Sequence, residues 1–259
     1  MMEERSGSGS MPEAMPTATV GGPGPANTPP HLADPRALQI LTTEHWSLLA
    51  GRSLSYNEAF TRASMFLSFL AASLVALALI AQATGFTTDL AWIAALFLAL
   101  DLFIGLATLG RISSAGAEEL HCVRGMNRIR HAYLEIAPDL EPYFVAPWHD
   151  DPAGVLSAYS VGRDEGGAFA DVMHGLTTTP GMIGVIDSVI AGVLAAVVAI
   201  ALGVSVVPAA LIGLVSAASV FGVIVVIGFR AAIGSMNAVP ARFPSPPPRD
   251  EEPSRSPFG

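Results

Sequence analysis

Four uninterrupted apolar stretches dominate the chain: ASMFLSFLAASLVALALIAQ (63–82), LAWIAALFLALDLFIGLATL (90–109), a third over 182–206 and a fourth over 208–229. Each holds about 20 residues, and at about 1.5 Å rise per residue that length matches a hydrocarbon layer of about 30 Å. Lipid-exposed backbone must satisfy its own hydrogen bonds, so such stretches are helices. The pattern predicts an all-α integral membrane protein with four transmembrane helices, arranged as two hairpins joined through ATGFTTD and the turn before Pro208.

Between and around these stretches the period changes. Asp34-Pro35 is a helix opening, an N-cap followed by proline at the first helical position. Leu38, Leu41, Leu48 and Leu49 then recur at helical spacing, with Glu44, Arg52 and Glu58 between them. This predicts an amphipathic helix over 35–62 that feeds into the first span. After Gly110, Leu120, Val123, Met126, Ile129 and Tyr133 or Leu134 repeat near helical period, which predicts a second polar-flanked helix over 111–136, stopped by Pro138. These two extensions of spans one and two should pair as a stalk, the core of a polar segment over 110–181. Within that segment GRDEGG (162–167) reads as a loop and 168–174 as a short helix. Residues 1–34 are rich in Pro, Gly and Ser, poor in large apolar side chains, and expected to be a disordered tail; 230–259 is expected to be a second, mostly disordered tail that closes on ARFPSPPPRDEEPSRSPFG. Acidic residues lead the chain and no apolar run follows before residue 60, so no signal peptide is expected; Met11 and Met15 are alternative starts.

Orientation follows from arginine. Arg52 and Arg62 precede span one, Arg111, Arg124, Arg128 and Arg130 follow span two, and Arg230 follows span four, while both hairpin loops lack any basic residue. The positive-inside rule then places both termini and the central segment in the cytoplasm, in a multi-pass protein of the cell membrane.

Composition adds little except exclusions. The chain is 51% hydrophobic and 14% charged, far from soluble usage, and all of its 13 basic residues are arginine, which suggests a GC-rich bacterial source. A net charge of -9 spread over tails and polar middle argues against a nucleic-acid partner. Cys122 is the single cysteine, so neither an intrachain disulfide nor a multi-cysteine metal site exists.

Asp101 stands out because it lies at the centre of span two, where a charge costs about 2.5–3.5 kcal/mol on insertion scales. Counting across the hairpin puts Ser73 opposite it, and Ser216 and Ser219 of span four lie at similar depth. Two readings stand: an ion or proton relay, or a protonated carboxyl bonded to serine that fixes helix pairing. Asp187, one and a half turns inside span three, is expected to pair with Arg230 at the membrane interface. Gly184, Ser188, Gly192 and Ala196, with Gly213, Ala217, Ala218 and Gly222, form small-xxx-small stripes that suit close packing within the second hairpin or a homo-oligomer interface. Glu118, Glu119, His121 and Cys122 share a helical turn, Asp171 and His174 stand three apart, and His149-Asp150-Asp151 reads as a polar surface turn. None reaches a metal-ligand or catalytic pattern, and no phosphate loop, nucleophile elbow or H-E-x-x-H occurs. No cofactor is implied.

Three segments carry a resemblance: LTTEHWSLLAGRSLSYNEAFTRASMFLSFL (41–70), GMNRIRHAYLEIAPDLEPYF (125–144) and HGLTTTPGM (174–182). They resemble a family of uncharacterised actinobacterial four-helix integral membrane proteins, over most of 36–235. The resemblance implies the same helix order and brings no activity. The layout alone is also similar to SLATT-type membrane effectors, in which a membrane hairpin is flanked by cytoplasmic helices. The expected function is a non-enzymatic scaffold, sensor or regulatory component acting through its cytoplasmic helices, on a protein partner or a second copy. The alternative is a small oligomeric ion or proton conductor that uses Asp101.

Overall fold

The computed structural model describes residues 32–85, 87–159 and 175–246, and every regular element among them is helical. The predicted tail up to residue 31, the loop at 162–167, the short helix at 168–174 with its Asp171–His174 pair, and residues 247–259 lie outside the described residues.

Helix α1 runs Pro35–Thr84; Asp34 caps it by accepting from the Arg36 amide at 2.9 Å, with Pro35 at the first position. It stops at Gly85, whose φ of 74° suits a residue without a Cβ and whose amide closes on the Ala81 carbonyl. Thr87 caps α2, Thr88–Ile136, by accepting from the Leu90 amide. At about 1.5 Å per residue each of these helices is about 75 Å long, so each outruns a hydrocarbon layer by more than half its length. Pro138 ends α2 and starts a 3-10 turn, Pro138–Tyr143. The short α3, Pro152–Ser157, is capped by Asp151, which accepts from the Gly154 amide at 3.0 Å. Helix α4 is Thr179–Ala201 and α5 is Val206–Asn237.

Two boundaries differ from the sequence expectation. The third span, read as 182–206, ends at Ala201, because the chain turns through Gly203 at φ 90° and the Val204 amide closes back on the Ala199 carbonyl. Pro208 then falls inside the first turn of α5, where its missing N–H costs nothing. The tail read as beginning at 230 also begins later: α5 continues through Arg230 to Asn237, and residues 238–246 are docked.

Helix α2 is the centre of the molecule. It packs along α1 in antiparallel register, shown by three polar contacts: Ser73 with Asp101, Glu58 with Arg111 at 2.8 Å, and Arg52 with Glu119 at 3.0 Å. Its other side takes α4, also antiparallel. Leu90 and Ala94 line one groove of about 720 Å³ with Val197 and Ala201, whereas Gly105 meets Asp187. Ala63 and Phe66 of α1, Leu98 and Ile112 of α2, and Ile183 and Ile190 of α4 form the shared core. Helix α5 touches mainly α4. There Gly192 and Gly213 face each other so closely that a Cβ on either would lie 2.7 Å from the other's carbonyl oxygen. The stripe of Gly184, Gly192, Ala196, Gly213 and Ala217 is thus occupied by α4–α5 packing, whereas Ala218 and Gly222 face outward.

Four helices, α1, α2, α4 and α5, are long and apolar enough to cross a membrane. Only 6% of the most apolar window of α5 is buried, so outside the face it lays on α4 its side chains point outward and need an apolar solvent. The protein is therefore consistent with a multi-pass membrane protein in contact with lipid.

Candidate functional site

Within the four apolar stretches two side chains ionise, Asp101 and Asp187, and both are fully buried. The Ser73 hydroxyl donates to Asp101 Oδ2 across the α1–α2 seam, leaving Asp101 Oδ1 without a partner. Asp187 projects from α4 onto the α2 backbone at Gly105, one turn beyond Asp101. A Cβ on Gly105 would fall on its Oδ1, 2.7 Å from its carboxyl carbon, and 2.9 Å from Phe66 Cζ. Both Asp187 oxygens lack a hydrogen-bond partner. Three carboxylate oxygens thus lie unpartnered in an apolar core, an arrangement that costs several kcal/mol per ion when nothing neutralises it.

The Asp187–Arg230 ion pair expected from the sequence does not form. Arg230 is exposed on α5, while the close approach permitted by Gly105 turns Asp187 toward α2. Ser219 does not reach Asp101 either: its hydroxyl is exposed and donates to the Val215 carbonyl one turn back. Ser73 alone of the expected partners meets Asp101.

A second polar centre, missed in the sequence, lies beyond the apolar stretches. Asp150, read as a surface turn, is fully buried and accepts from Arg128 Nε at 2.6 Å, the Arg242 amide at 3.0 Å and the Phe243 amide at 2.7 Å. The Asp150 amide in turn donates to the Phe243 carbonyl at 3.2 Å. Burial pushes the Asp150 carboxyl up, but the two backbone amides and the Arg128 guanidinium outweigh it and hold the group below the usual carboxylate range. The chain after α5 is thereby strapped onto α2. Arg124 and Arg128 donate to the Met236 and Pro240 carbonyls at 2.6 and 2.9 Å, placing cations at the C-terminal end of α5 where its dipole is negative. Phe243 stacks on His131 with centroids 4.0 Å apart, and the Ser245 hydroxyl donates to Asp151 Oδ1 at 2.8 Å. Asn127, fully buried, donates to the His149 carbonyl at 2.8 Å and accepts from Arg130 at 2.9 Å, which seats the 147–154 loop. One signal was readable: Arg124 and Arg128 are four apart on one face of a helix, and Asp151-Pro152 repeats the capping pattern of Asp34-Pro35.

Glu118, Glu119, His121 and Cys122 form no reactive centre. Glu119 is paired with Arg52, whose guanidinium lies 5.7 Å from the Tyr159 ring centroid. Burial, Glu118 and Glu119 push the Cys122 thiol up, which makes it a poor nucleophile. Burial and Glu119 likewise push up the Tyr159 hydroxyl. Among the described residues no group of three or more His, Cys, Asp and Glu side chains converges.

Comparison with family models, with curated proteins and with solved structures yields no match.

Proposed function

We propose that this chain is a non-enzymatic multi-pass protein of a bacterial cell membrane, a scaffold or regulatory component that works by contact through its cytoplasmic helices. The supporting observation is on α1. Before the apolar stretch begins at 63, it leaves Leu38, Trp46, Leu49, Tyr56 and Phe60 outward, with Trp46, Tyr56 and Phe60 67%, 64% and 62% exposed. Water-facing apolar side chains on this scale mark a contact surface. Trp46, Leu49, Tyr56 and Phe60 follow the alternating three-and-four spacing of a coiled-coil seam, with Ser53 between. Beyond it, inside the apolar stretch, Leu67 and Leu74 are outward at the same spacing, while the intervening Ala63 and Leu70 turn toward the core. A partner that covers the seam must be a helix emerging from the bilayer at the same level. A second copy related by a twofold axis along the membrane normal meets that requirement by construction.

In this reading the hairpin loops at 85–87 and 202–205 face outward, since the arginines gather at the other end of the bundle. With Cys122 replaced by serine, cysteines at Trp46, Leu49, Tyr56 and Phe60 should cross-link between copies in native membranes, while one at exposed Ser47 should not. A chain that is monomeric in mild detergent and cross-links at none of the four positions overturns the reading. Orientation is checked separately. A cysteine at Thr87 should react with an impermeant maleimide on intact cells and native Cys122 should not.

A second reading, an ion or proton conductor, is favoured by the buried Asp101. Flux through proteoliposomes that both Asp101→Asn and Asp101→Leu abolish would support it. Unchanged flux would remove it.

A further inference from the structure

Asp101 and Asp187 are unused by the contact surface, and the positions of their oxygens require an explanation of their own. One carboxylate comes from α2 and the other from α4. They reach the same face of α2 one turn apart, about 6 Å along the axis, because Asp187 lies against Gly105 and Gly105 follows Asp101 by four residues. The four apolar stretches contain no basic residue, so no protein cation can neutralise them there. Helix α1 presents Ser73 and Phe66 to this place, α2 contributes no titratable group besides Asp101, and α4 none besides Asp187. The Ser188 hydroxyl beside Asp187 is taken by the Gly184 carbonyl at 2.6 Å. Helix α5 has no ionisable side chain until Arg230.

We propose that Asp101 and Asp187, with the Ser73 hydroxyl, form an intramembrane binding site for one small monovalent cation. The donor set is all oxygen, which selects a hard ion. Ca²⁺ takes about 6–8 oxygens and Mg²⁺ a near-ideal octahedron, and two buried carboxylates with one hydroxyl supply neither. A proton needs no coordination shell, and Na⁺, singly charged, accepts an irregular one. Either one leaves the pair with a single negative charge, onto which the Ser73 hydroxyl already donates. Asp187 is the side chain that the ion holds against α2. Occupancy of the site therefore bears on how α4 packs. The inference stands apart from the contact reading, because it concerns side chains that α1's outer face does not touch.

The test uses the full chain in detergent and a hydrophobic carbodiimide, which reacts with protonated carboxyls in apolar surroundings, mapped by peptide mass spectrometry. In Na⁺-free choline buffer the adduct should fall on Asp101 or Asp187, and its rate should drop about tenfold per pH unit once the site ionises. Slower labelling in NaCl than in choline chloride or KCl at equal ionic strength identifies Na⁺ as the ion. Equal rates in all three salts, with the pH dependence intact, identify the proton. Asp101→Asn and Asp187→Asn should each alter the rate at the remaining aspartate, and circular dichroism confirms that these variants are helical. The native chain carries the decisive outcome. No adduct on either aspartate from about pH 5 to about pH 9 in Na⁺-free buffer, with native helicity and elution, overturns the proposal.

Discussion

Replacing Asp150 by alanine should release the strap that follows α5. The carboxylate holds three donors, the Arg128 guanidinium and the Arg242 and Phe243 amides, at 2.6, 3.0 and 2.7 Å. Bonds to a charged group contribute about 1.5–3 kcal/mol each, but on release the strap amides and Arg128 regain water, so the three do not add. The lower end of the cost of breaking a buried pair, about 3 kcal/mol, is the appropriate figure. At about 1.4 kcal/mol per decade that is a change of roughly 150-fold in the opening equilibrium. Trypsin reads this equilibrium at one bond. Arg242 is exposed, but the peptide bond after it joins the two amides held by Asp150, so cleavage requires the strap to leave. When reclosing outpaces cleavage, the rate tracks the open fraction. Release of the fragment starting at Phe243 should therefore accelerate about a hundredfold in Asp150→Ala and less in Asp150→Asn, which keeps a carbonyl acceptor. The pH dependence has a definite sign. Because the folded carboxyl lies below its ordinary value of 3.8, the tether is complete above pH 3.8 and is lost as pH falls through the lower folded value. Rates in the native chain and Asp150→Ala that agree within about threefold at neutral pH would refute the account.

Three further outcomes follow from the packing. Gly105→Ala gains up to about 1 kcal/mol of helix propensity but drives a methyl onto Asp187 and Phe66, at about 1–3 kcal/mol, so thermal melting in detergent should fall. The double variant with Asp187→Ala should melt higher than Gly105→Ala alone; no recovery would mean the methyl clashes elsewhere. Gly213→Leu should cost about 3 kcal/mol, because its side chain would displace the Gly192 backbone in the main contact that α5 makes, whereas Gly222→Leu, facing open space, should melt like the native chain. Burial, followed by the Arg130 charge, lowers the ordinary value of 6.5 for His45, so the folded state disfavours the imidazolium and loses stability as pH drops below 6.5. His45→Gln should flatten that loss in melting curves taken between about pH 8 and about pH 5.

Much of the architecture is carried by local signals. The apolar stretches, the Asp34-Pro35 opening and the stop at Pro138 are local statements, and helices obey them because backbone satisfaction and capping act within a few residues. The register of α1 on α2 is nearly local too, since a three-residue turn fixes which side chains can meet, and Ser73 lies opposite Asp101 for that reason. Where α4 sits is not local. Its rotation is set by the places at which Gly105, Gly192 and Gly213 allow backbones to approach, and that rotation turns Asp187 inward, away from the arginine nearest to it by depth. The strap is less legible still. Its proline and serine content reads as disorder, because composition measures how much apolar surface a segment can bury, and this segment is held mainly by its backbone amides. Its anchor, Asp150, stands 92 and 93 residues before those amides, and its burial depends on Arg128 from another element. A carboxylate can order a segment of low hydrophobicity when it supplies acceptors that water would otherwise supply, and neither sequence period nor composition registers that exchange.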